Sequence, residues 1–134
     1  MNILFLSTRS PYPLISGHSL RTYHILKGAA QNHKVTFVTF VQYPDHELKK
    51  ENLDHLRSFC KAVYPFKIPA DMSKITLAKM LFLNLFSSLP FVARKYDVPL
   101  MRQKIREIIQ KEHIDLVHVD MLPLTAYINE FENL

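Results

Sequence analysis

Two segments of this chain, Asn2–Ser7 (NILFLS) and Lys34–Val41 (KVTFVTFV), are apolar or β-branched along nearly their whole length. A strand with one face in water alternates apolar and polar residues. A run without that alternation needs cover on both faces, which in practice means a parallel sheet between layers of helices. The intervening residues fit that scheme. A helix is predicted from about Gly17 to Gln31, with Tyr23, Leu26 and Ala30 forming an apolar stripe at helical spacing.

The same alternation continues. Pro44 and Asp45 end the second strand, and Asp45 is placed to cap a helix running to about Phe59, with Leu53, Leu56 and Cys60 on its inner face. Ala62–Lys67 (AVYPFK) reads as a short third strand, and Pro65 predicts an edge position because proline cannot donate to a neighbour. Asp97 with Pro99 opens another helix, buried through Met101, Ile105, Ile108 and Ile109, which His113 ends. Ile114 to Asp120 (IDLVHVD) is the fourth strand, and Leu122 to Leu134 a final helix. The fold class expected is α/β, an open parallel sheet with helices on both faces. At 134 residues, 48% hydrophobic and 22% charged, residues 1–134 are expected to form one globular domain. Ending soon after a fourth strand, that domain is expected to be part of a longer α/β protein.

Between Asp71 and Leu89 the chain is apolar on much of its circumference but interrupted by Lys74, Lys79 and Asn84. A membrane span needs roughly 20 mostly uninterrupted apolar residues, so this stretch is read as one or two helices. They either pack under a partner domain or lie on a membrane surface.

Composition narrows the function classes. Cys60 is the sole cysteine, which rules out an intrachain disulfide and fits a reducing cytoplasm. The start MNILFLSTRS lacks the basic region of a signal peptide, and its apolar run is short. The expected location is therefore cytoplasmic, with peripheral contact at the inner face of a membrane as an added possibility. A net charge of +5 permits attraction to anions, but Lys and Arg are scattered from Arg9 to Lys111, so no nucleic-acid partner is expected.

In open parallel sheets, ligands sit beyond the C-terminal ends of the strands. Two segments meet that rule: Thr8 to Arg21, and His118 to Leu124. A dinucleotide or P-loop fingerprint needs several glycines, whereas the chain has only Gly17 and Gly28. Gly17 at a helix start allows backbone to approach a ligand where N–H groups are unpaired, and Arg21 one turn on is in reach of the same anion. His18 is a possible ligand contact, although a lone loop histidine is usually just exposed. For Arg9, solvation is expected. His118 is the candidate reacting or sugar-contacting group, and Asp120, two residues on, faces the same side of the strand. The two either hold a substrate hydroxyl together or satisfy each other. Asp115 marks the opposite end of that strand. His24, His33, His46, His55 and His113 lack metal-ligand spacing, so neither metal nor cofactor is expected.

The order and spacing of MNILFLSTRSPYP, the G-x-x-x-R of Gly17 to Arg21, RTYHILKGAAQNHKVTFVTF and IDLVHVD resemble the N-terminal domain of GT-B glycosyltransferases of the group-one, retaining kind. The resemblance spans essentially the whole chain. It implies a Rossmann-like acceptor-side domain facing a second, donor-binding domain that carries an E-x7-E motif and is missing from this chain. The implied partners are a nucleotide-sugar donor and a sugar or lipid-linked acceptor. Gly17 would approach the donor diphosphate and His118 would lie by the transferred sugar. At Asp120 the chain departs from the second histidine found in many members. The isolated chain would be inactive, because transfer needs both substrates positioned together. A second reading, from another class, is a stand-alone flavodoxin-like module that binds a nucleotide or a protein.

Overall fold

A computed structural model describes residues 1–42, 49–69, 73–86 and 90–132. The elements run β1 (Asn2–Ser7), α1 (Gly17–Asn32), β2 (Lys34–Val41), α2 (Lys50–Arg57), β3 (Ala62–Lys67), α3 (Lys74–Asn84), α4 (Phe91–Lys95), α5 (Pro99–Glu112) and β4 (Leu116–Val119), closed by a 3-10 helix over Leu122–Glu130. The four strands form one sheet in the order β3-β2-β1-β4, and every pair is parallel. This is a Rossmann-like α/β fold. The order also matches the first four strands of a 3-2-1-4-5-6 doubly wound sheet rather than the 2-1-3 start of a flavodoxin-like one.

Because side chains alternate along a strand, each run feeds two cores. Ile3, Phe5, Val35, Phe37 and Val63 pack on Leu26 of α1, on Leu56 of α2 and on Cys60 just beyond it. The opposite face sends Leu4, Leu6, Val38 and Phe40 against Met101, Ile105 and Ile108 of α5 and against Leu124 and Tyr127 of the 3-10 helix. Helices therefore cover both faces, as the unbroken apolar runs require. β3, with Pro65, is an edge strand.

Local signals account for the helix ends. Ser16, in extended backbone, caps α1 by accepting from the Ser19 N–H, and α5 begins on Pro99, whose missing donor costs nothing there. At the far end of α5, His113 takes a left-handed conformation (φ 46°). The Asn2 amide donates to the carbonyls of Glu112 and His113, two acceptors that the helix terminus leaves open.

Several expectations change. Asp97 does not cap α5: Val98 holds that position, and the Asp97 carboxylate accepts from Arg102 instead. Asp45, expected to cap α2, lies outside the described residues; α2 begins at Lys50 with Lys49 at its N-cap. β4 is shorter than Ile114 to Asp120 at both ends, because Ile114 turns into the core before the strand starts. The last helix is 3-10 rather than α over its described part. Its buried residues, Leu124 and Tyr127, are three apart, which a three-residue turn places on one line. The Tyr127 hydroxyl fixes this geometry by accepting from the Val98 N–H and donating to the Tyr96 carbonyl.

Candidate functional site

Where the chain crosses from the β3 side to β4, the sheet has its switch point, between β1 and β4. The N-terminus of α1 lies at the C-terminal ends of these two strands. The β1–β4 register pairs Phe5 with His118 and Leu6 with Val119, and the Asp120 N–H extends the ladder by donating to the Leu6 carbonyl at 2.9 Å. Thus the two segments singled out in the sequence, one after β1 and one after β4, meet.

They meet through Asp120. Its side chain is 1% exposed and surrounded by donors. Thr22 Oγ1 donates to Oδ2 at 2.7 Å, Ser7 Oγ to the same oxygen at 3.4 Å, and Arg21 Nη2 to Oδ1 at 2.5 Å. Arg21 also reaches the Asp120 carbonyl at 3.3 Å, and His18 Nε2 lies 3.8 Å from Oδ2. A carboxylate so engaged is an anchor rather than a free base. It ties the first two turns of α1 to the end of β4.

This changes the expected roles of several residues. Arg21 was expected to reach for a ligand anion, yet one of its nitrogens serves Asp120, while the side chain stays half in solvent. His18 lies near the same carboxylate while its side chain stays 27% exposed. Asp120 and His118 lie on one side of the strand as expected but do not bond to each other. His118 instead stacks on Phe5, with ring centroids 4.3 Å apart and planes at 30°. It makes no hydrogen bond to a described residue. Arg9 is exposed, as expected, and its guanidinium donates to the Gln42 side chain, which in turn donates to the Thr8 carbonyl and the Tyr96 hydroxyl. The loop after β1 is therefore fastened to the end of β2. Asp115 sits at the opposite edge and accepts from the Asn2 N–H at 2.6 Å.

Gly17 has neither a left-handed backbone nor a crowded surround. A Cβ built on it meets nothing within 4 Å. Neither the turn nor the internal packing demands a glycine there, so what its missing side chain leaves is open space at the helix terminus.

Sequence reasoning missed Ser7 and Thr22. The available signal was Ser19 and Thr22 falling on the same inward stripe of α1 as Tyr23 and Leu26, since small hydroxyl residues on a buried face need a polar partner. A separate apolar cleft of about 600 Å³ opens between α4 and the 3-10 helix, lined by Pro90, Val92, Ala93, Leu122, Pro123 and Ala126. It shares no residue with the Asp120 cluster. Among the described residues no group of three or more His, Cys, Asp or Glu side chains could hold a metal ion. No protein family, curated protein or solved structure matches the chain.

Proposed function

We propose that this chain is the acceptor-side domain of a retaining GT-B glycosyltransferase, which moves a sugar from a nucleotide-sugar donor to an acceptor hydroxyl across a cleft shared with a second domain. One observation carries the reading: at the switch point between β1 and β4, where doubly wound sheets bind ligands, Arg21 and Thr22 hold the N-terminal turns of α1 to Asp120, two residues beyond His118. Gly17 contributes access, since a Cβ built there meets nothing within 4 Å. Unpaired N–H groups of the first helical turn suit a diphosphate. His118, its ring stacked on Phe5 and bonded to no described residue, is the group assigned here to the transferred sugar.

Asp120 has a different role in this scheme from the one its position in the family pattern suggests. It holds α1 against β4 and so fixes the distance between the helix terminus and His118; it is a positioning residue. The test is transfer by the full-length protein from a nucleotide diphosphate sugar. Gly17→Trp is expected to abolish transfer, because the indole fills the approach to the helix terminus, and His118→Ala to lower it, with both variants folded. Full activity in both removes the site. A reading frame with no second domain beyond this one removes the transferase reading itself. The flavodoxin-like alternative is disfavoured by the strand order, which begins 3-2-1 rather than 2-1-3.

A further inference from the structure

Helix α3 is apolar around most of its circumference, yet none of its residues is fully buried. Its inner side is accounted for: Leu77 and Met80 pack against the core. On the outer side, Ile75, Lys79 and Phe82 follow one another at spacings of four and three and so share a face, and Phe86, just past the helix end, lies against Phe82. Ile75 is 82% exposed, Phe82 63% and Phe86 82%. The two rings pack edge to face at 5.9 Å, forming a continuous apolar ridge. Arg94 of α4 donates to the Leu83 carbonyl, joining α4, with its exposed Val92, to the end of α3.

Charge decides what covers this ridge. Between Asp71 and Asp97 the sequence has no acidic residue and four cations, Lys74, Lys79, Arg94 and Lys95. Asp97 itself is taken by Arg102 at 2.7 Å. Lys79 lies in the middle of the apolar face, between Ile75 and Phe82. Protein interfaces are depleted of lysine at such a place, whereas at a lipid surface a lysine stem lies among acyl chains and its ammonium reaches the headgroups. At 11 residues the helix is about 16 Å long, half the thickness of a bilayer core, and among the described residues no helix is long and apolar enough to cross a membrane.

We infer that α3 and the start of α4 form a membrane-surface binding face that seats Ile75, Phe82 and Phe86 in the acyl boundary of an anionic bilayer, with Lys74, Lys79 and Arg94 on its headgroups. This face is independent of the catalytic reading, since it shares no residue with the Asp120 cluster. The test is co-sedimentation of the 134-residue chain with vesicles of phosphatidylcholine alone and of phosphatidylcholine with phosphatidylglycerol. Binding is expected to the anionic vesicles only and to weaken with salt. Phe82→Ser with Phe86→Ser should lower the partition coefficient at least about tenfold, and Lys74→Gln or Lys79→Gln about fivefold each. All these side chains are at the surface, so the variants should keep the parent urea midpoint. Absence of binding to anionic vesicles overturns the inference, as does equal binding by the Phe82/Phe86 variant. A parent that forms a dimer, which that variant dissolves, and that ignores vesicles would assign the ridge to self-association instead.

Discussion

Replacing Asp120 by alanine separates an anchor from a catalytic carboxylate. The substitution strips the partner from Thr22 Oγ1, a fully buried hydroxyl bonded at 2.7 Å, and from one of the two acceptors of Ser7 Oγ, which also donates to the Arg9 carbonyl. An orphaned buried donor costs about 1–3 kcal/mol. The Arg21 contact adds little, about 0–1 kcal/mol, because that guanidinium is 54% exposed. The sum is a loss of about 1–4 kcal/mol, which with a urea slope of about 1–3 kcal/mol per molar moves the midpoint down by on the order of 1 M. Asp120→Asn should cost about 1 kcal/mol or less, since the amide oxygen still accepts from Thr22. A double-mutant cycle with Thr22→Val should recover a coupling of about 1 kcal/mol or more. The assay is equilibrium urea unfolding followed by circular dichroism. An Asp120→Ala variant within about 0.5 kcal/mol of the parent, or strict additivity with Thr22→Val, refutes the anchor.

Gly17→Ala should leave stability unchanged or raise it by about 0.4–1 kcal/mol, because a Cβ meets no atom there and the unfolded chain loses freedom; a clear loss in thermal melting would show that the site is crowded. Glu130 is held below its ordinary value of 4.5, chiefly by Arg106 and further by Arg102, against the opposing effect of its burial. The fold thus favours the ionised form, so the stability this residue contributes is present above pH 4.5 and is lost as pH falls through its depressed folded value. In unfolding measured across acidic pH, Glu130→Gln should flatten that part of the profile, and an unchanged profile would contradict the assignment. Burial pushes the Cys60 thiol up to about 12, so a thiol reagent at mildly alkaline pH should label the native chain far more slowly than the urea-unfolded one; equal rates would mean the thiol is accessible.

The sheet was legible in the sequence because its signal is local. An unbroken apolar run such as KVTFVTFV states by composition that both faces are covered, and a proline at residue 65 states that its strand lies at an edge. The first three strands accordingly begin and end where the pattern places them. The 3-10 helix was less legible, because Leu122–Glu130 is apolar enough for an α-helix and only the anchoring of Tyr127 to Tyr96 and Val98, about thirty residues earlier, fixes the tighter turn.

For the site, the sequence determined which residue types lie after β1 and after β4, and strand periodicity put His118 and Asp120 on one side. Only the tertiary structure decided which groups each meets. The partners that settle Asp120 are Ser7, Arg21 and Thr22, and the ring that settles His118 is Phe5, each about a hundred residues away along the chain. Hydrogen-bond donors are shared out by distance in space, and nothing in local periodicity records which donor a buried carboxylate meets when β4 closes against β1.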